Sequence, residues 1–103
     1  MRVMISQPMN GLTRAQIEAN RAKVVARLEA MGAEIVDSFV TEEPPPNANA
    51  GLFCLGKSFQ IMATVDAVYF MEGWTMARGC CLEWEACKRY GIHRIDQPGP
   101  DAE

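Results

Sequence analysis

The residues with the most chemistry in this sequence fall in two short segments. One is Trp74-Thr75-Met76-Ala77-Arg78-Gly79-Cys80-Cys81-Leu82-Glu83, which opens a helix. Gly79 permits close approach of a ligand to the backbone. The free amides of a helix N-terminus favour an anion, and Arg78 adds positive charge. Glu83 follows Gly79 by four residues, so both lie on one face of that helix. A carboxylate in the first turns of a helix stays ionised more readily, and an ionised carboxylate facing a pocket can act as a nucleophile or base. The alternative for Glu83 is a solvated helix glutamate. Glu85 lies about 200° away around the axis, and with Arg89 it reads as a surface ion pair of little energetic weight. Trp74, in a loop at a strand end, either stacks on a planar base or anchors packing.

The second segment is Ser6-Gln7-Pro8-Met9-Asn10-Gly11. Ser6, Gln7 and Asn10 can hydrogen-bond a sugar or phosphate, and Gly11 allows a tight backbone turn. The alternative is an ordinary turn into a capped helix. Neither segment matches the GxxxxGKS/T phosphate loop or GxGxxG. Cys54, Cys80, Cys81, Cys87 and the only histidine, His93, lack zinc-ligand spacing. No metal or redox cofactor is expected, and the cysteines read as small packing residues with reduced thiols.

These segments are positioned by alternating strands and helices. Val3-Met4-Ile5 is a short apolar run closed by Pro8, Asn10 and Gly11, a buried strand entering a loop. Thr13 and Gln16 form a capping box, Ile17, Val24, Leu28 and Met31 recur on one helical face, and Gly32 stands where a left-handed C-terminal cap is expected. Glu34 to Phe39 reads as a second strand. Thr41 to Gly51, with Pro44, Pro45 and Pro46, must be an exposed loop. Leu52, Leu55, Phe59 and Met62 return to helical spacing; Ser58 lies on this second helix. Ala67 to Met71 is the third strand. A third helix ends near Tyr90 with Gly91 as its stop, and His93 to Asp96 is the last strand. Asp66 precedes the third strand at the end opposite the ligand edge and reads as a turn residue.

Apolar strands alternating with amphipathic helices predict a parallel sheet with helices on both faces. The expected fold is an α/β, flavodoxin-like (Rossmann-like) three-layer sandwich with a four-stranded parallel sheet in order 2-1-3-4. Its switch point lies between the first and third strands, where ligands of such sheets bind beyond the C-terminal strand ends. The loops at Ser6–Gly11 and 72–79 meet there. The expected organisation is one domain over residues 1–96 and a flexible tail over 97–103.

The 103 residues are 49% apolar and 22% charged, proportions that exclude disorder for most of the chain. No apolar run approaches the ~20 residues of a membrane span, and the N-terminal segment is too short in apolar residues for a secretory signal. A cytoplasmic location is expected. The net charge of −3 gives no basic footprint for a nucleic acid polymer. The second helix carries Leu52, Phe53, Leu55, Phe59, Ile61 and Met62, more apolar surface than one core-facing stripe requires. This predicts a homodimer, or a tetramer built from dimers, with that helix at an interface.

The segments Ile5 to Gly11, Leu55-Gly56-Lys57-Ser58, Asp66 to Phe70, and Gly73-Trp74 with Ala77-Arg78-Gly79-Cys80 resemble a family of short bacterial and phage proteins catalogued as a domain of unknown function. The resemblance covers the chain up to Ile92. That family in turn resembles the nucleoside 2-deoxyribosyltransferase superfamily, which includes deoxynucleoside 5-monophosphate N-glycosidases. There a glutamate four residues after a glycine attacks the anomeric carbon of deoxyribose and displaces the base, which makes Glu83 the implied nucleophile. The superfamily's first loop, matching Ser6 through Asn10, implies sugar or phosphate binding. Many members carry an aspartate eight residues before that of the third strand, where this chain has Ser58. The transferases carry another six residues before the nucleophile, where this chain has Ala77.

The expectation from these readings is a nucleoside or nucleotide N-glycosidase or 2-deoxyribosyltransferase-like enzyme. Glu83 is its catalytic residue. Ser6, Gln7, Asn10, Gly11, Ser58, Trp74, Arg78 and Gly79 contact the substrate, with Trp74 on the base. The alternative is a non-catalytic nucleotide-binding module that has lost the second acid.

Overall fold

Four short apolar runs pair as parallel strands, and three helices cover the two faces of the resulting sheet. The computed structural model describes residues 1–37 and 42–96. In chain order these hold β1 (Arg2–Ser6), α1 (Arg14–Ala30), β2 (Glu34–Val36), α2 (Ala50–Met62), β3 (Ala67–Phe70), a 3-10 turn (Trp74–Met76), α3 (Arg78–Tyr90) and β4 (His93–Asp96). The sheet order is β2-β1-β3-β4 and all pairs are parallel. This is a flavodoxin-like three-layer α/β sandwich, as the alternation of strands and helices predicts. The outer residues of the expected second strand, Ser38 and Phe39, and the expected tail at 97–103 lie outside the described residues.

Alternation along the central strands divides the core. Val3 and Ile5 of β1 and Ala67 and Tyr69 of β3 face Val24 and Leu28 of α1. Met4, Val68 and Phe70 face the other way, against Met62 of α2 and Cys87 of α3. Burying each large apolar side chain contributes about 1.5–3 kcal/mol. The same alternation puts Ser6 on the face of Met4, toward α2 and α3.

Helix ends follow local sequence. The Thr13–Gln16 capping box is present in both directions. Gly32 and Gly91 take left-handed φ values of 90° and 75° just past α1 and at the end of α3. Met31 is a correction: it lies one residue beyond α1 as its C-cap and is 76% exposed, so it is not part of the buried stripe. Helix α2 begins earlier than its apolar spacing implies, because Asn49 caps it by accepting from the Leu52 amide at 2.9 Å.

The register brings the site's two strands level. Ser6 pairs with Phe70, and the Met71 amide donates to Ser6 O at 3.0 Å, so β1 and β3 end together. At the opposite edge Asp66 accepts from the Arg2 amide at 2.8 Å, as a turn residue there would. Among the described residues, no helix is long and apolar enough to cross a membrane.

Candidate functional site

At the switch point between β1 and β3, the loop after β1, α2 as far as Ser58 and the N-terminal half of α3 line an open cleft of about 540 Å³. That volume lies within the range of small-ligand sites. Its inner wall is built from the end of β1. Ser6 is 2% exposed and its Oγ donates to Oε1 of Glu83, itself 7% exposed. Ser58, from α2, also lines the cleft beside this carboxyl, where its hydroxyl favours the charged form. Three elements thus converge on one acid: β1 through Ser6, α2 through Ser58 and α3 through Glu83 itself.

The electrostatics of Glu83 correct the expectation that it stays readily ionised. Burial pushes its carboxyl above the usual range, while the hydroxyls of Ser6 and Ser58 pull in the opposite direction. The helix-terminus argument holds for a solvated carboxylate, and here desolvation is the larger effect. Cys80, one turn earlier on α3, is buried beside Ser6. Its thiol is pushed up to about 11, first by burial and also by neighbouring Glu83, against a hydrogen bond with Ser6. A thiol so placed is held in its unreactive form.

Arg78 and Gly79 line the cleft at the start of α3. The N-cap of this helix is Ala77, which supplies no side-chain bond to the first-turn amides. Arg78 reaches across to the first turn of α2: a Cβ at Gly51 would lie 3.2 Å from its Nη2. The bare backbone of Gly51 leaves that guanidinium its place. Asn10 and Asn49 complete the polar part of the outer wall. Among the described residues lining the cleft, Glu83 is the single carboxyl and Arg78 the single cation.

The structure therefore brings Ser6, Gln7, Asn10, Ser58, Arg78, Gly79 and Glu83 to one cleft. Gln7 is turned partly toward α1, where its Nε2 donates to Ile17 O at 2.7 Å, and its buried Oε1 has no partner among the described residues. Gly11 and Trp74 are not brought to the cleft. Gly11 is exposed, with a φ of 80°, and shapes the turn into α1. Trp74 stacks on Trp84 with ring centroids 4.2 Å apart and planes 18° from parallel. Phe70 abuts both rings, and the Arg94 guanidinium lies 4.5 Å from the Trp84 ring centre on the far side of α3. Trp74 thus takes the packing alternative.

Asn49 and Gly51 are cleft residues that motif reading passes over, and Cys80, read from the sequence as a packing residue, also lines the cleft. Asn49 does carry a sequence signal, a capping residue directly before an apolar helical run. Gly51 carries none until α2 and α3 are placed side by side. Glu85, with Arg89 at 2.5 Å, is the surface ion pair expected. Among the described residues, no group of three or more His, Cys, Asp or Glu is placed to hold a metal ion.

No curated protein and no solved structure matches the chain. One family model does, over residues 1–96, and it contains all the elements that build the cleft. The chain belongs to the family described as Domain of unknown function (DUF4406).

Proposed function

We propose that this chain is a nucleoside or nucleotide N-glycosidase, related in mechanism to the 2-deoxyribosyltransferases, with Glu83 as the nucleophile. The observation that carries this reading is the buried Glu83 carboxyl at a switch-point cleft, held by the Ser6 hydroxyl at the end of β1. A carboxylate fixed in this way can attack the anomeric carbon of a bound sugar, forming a glycosyl ester as the base departs. Ser6 and Ser58 favour its charged form, and Asn10, Gly79 and Arg78 supply the polar and positive groups that sugar and phosphate require. The partner is then a small molecule rather than a nucleic acid polymer, and the chain assembles as a homo-oligomer through α2.

The test is incubation with a panel of nucleosides and their monophosphates, followed by chromatography for free base. Base release should fall at least ~100-fold in Glu83→Gln, because the nucleophile supplies an entire covalent step. Glu85→Gln removes a charge from the same helix but should change the rate little. Equal losses would point to helix charge or stability instead. A second reading, a non-catalytic nucleotide-binding module, draws on Glu83 being the single carboxyl among the described cleft residues. It predicts nucleotide binding by calorimetry without release of any base.

A further inference from the structure

The cleft presents an acidic and a basic group at different depths. The carboxyl of Glu83 is buried at its inner wall, and the guanidinium of Arg78 is exposed near its outer rim. Between them the described polar side chains are hydroxyls, thiols and amides. None of these is matched to donating a proton to a departing base near neutral pH. The Ser6 hydroxyl is already committed to Glu83, and burial has pushed the Cys80 thiol up to about 11. Breaking the glycosidic bond of an ordinary neutral base sends the bonding pair onto the ring nitrogen, and the base departs as an anion unless an acid protonates it.

We infer that the substrate of this cleft is a nucleoside or nucleotide whose base is already cationic, an N-glycosylated pyridinium or an N7-alkylated purine. The inference rests on the N-glycosidase reading above. With such a base the chemistry needs only the groups present. An oxygen of Glu83 bonds to the anomeric carbon while the carbon–nitrogen bond breaks. The electron pair goes to the ring nitrogen and cancels its positive charge, so the base leaves neutral and takes no proton. Water then attacks the anomeric carbon of the glycosyl ester. The ester oxygen keeps its pair and restores the Glu83 carboxylate, and the proton of the water passes to solvent.

The electrostatics favour the same class. A neutral ligand entering the cleft removes more water from Glu83 and favours its protonated form, which is not nucleophilic. A cationic ring beside it offsets the desolvation and favours the carboxylate. A ligand with a cationic base and a phosphate also carries its charges in the order the cleft presents, positive toward Glu83 and negative toward Arg78.

The experiment compares matched pairs on the wild-type protein. One pair is N7-methylguanosine monophosphate against guanosine monophosphate, which differ by one methyl group and one charge. Nicotinamide mononucleotide against cytidine monophosphate tests the pyridinium arm. Free base is followed by chromatography, and non-enzymic release is subtracted. The expected result is a kcat/KM at least ~100-fold higher for one or both cationic members. Release from the neutral members within tenfold of the cationic ones overturns the inference and leaves the N-glycosidase reading standing. Release from none of the four, nor from the wider nucleoside panel, overturns both. Calorimetry adds a readout independent of turnover: Glu83→Gln should weaken the cationic member of each pair at least tenfold more than the neutral one. Equal weakening counts against the inference.

Discussion

Glu83 couples the site to the stability of the fold. Burial raises its carboxyl above the value it has in the unfolded chain. A carboxyl raised on folding is protonated in both states at low pH, where its stabilising contribution is fully present. That contribution is lost as pH rises through the folded-state value. Glu83→Gln keeps an acceptor for Ser6 without the charge. The Tm of this variant should therefore match wild type below the pH at which a free carboxyl titrates and exceed it once pH has risen through the folded-state value of Glu83. About 1 kcal/mol moves the Tm of a domain this size by about 4–8 °C, so calorimetry can resolve the gap. A Tm difference independent of pH would contradict the burial argument. Ser6→Ala removes a donor that favours the charged form, so the Glu83 titration followed by carbon NMR should move to higher pH. A shift to lower pH would mean that the hydroxyl does not serve the carboxylate.

At the scale of elements, α3 separates the site from the packing. Successive helical residues turn by about 100°, so Glu83 faces the cleft while Trp84 faces Trp74 and Phe70. Trp74→Ala should lower stability by about 2 kcal/mol or more, approaching the roughly 3–5 kcal/mol of a fully buried aromatic, and leave nucleotide affinity unchanged. A tenfold loss of affinity with unchanged Tm would return Trp74 to the ligand. Arg78→Ala should weaken monophosphates at least tenfold more than the corresponding nucleosides, measured by calorimetry, because its guanidinium lies at the cleft rim between α2 and α3. Equal weakening of both would remove Arg78 from phosphate recognition. The spacing of Gly79 and Glu83 was legible because both residues belong to one helix. The partner of Trp74 was not. It depends on the turn at Gly73, whose φ of 91° directs the chain into the 3-10 segment, and no sequence period links positions 74 and 84. The upward shift of the Glu83 carboxyl was hidden for a related reason, since its desolvation depends on β1 and α2 as well as on α3.

For the whole molecule, strand order was legible from the alternation of elements, because right-handed crossovers leave few arrangements for four parallel strands. The surplus on α2 was legible too. The structure gives that surplus a location: of this largely apolar helix only Met62 is buried. Leu52 is 66% exposed and Phe59 37%. They stand seven residues apart, two helical turns, on one stripe. A lone domain of this size buries a modest fraction of its surface, and pairing α2 stripes from two copies would remove these side chains from water. Light scattering at micromolar concentration should therefore report a dimer or a tetramer. Phe59→Glu should shift it to monomer, since a desolvated carboxylate on the stripe is costly without a partner. The variant should retain the wild-type circular dichroism spectrum, because position 59 is already partly exposed. A wild-type monomer at micromolar concentration would refute the assembly, and an oligomer that survives Phe59→Glu would move the interface away from this stripe. The variant also asks whether the cleft depends on assembly, because Leu52 lies both on the stripe and in the cleft lining. If pairing shapes that wall, Phe59→Glu should weaken nucleotide binding at least tenfold while Glu83 and Arg78 remain unaltered. If the cleft is complete within one chain, affinity should stay within twofold as the dimer is lost.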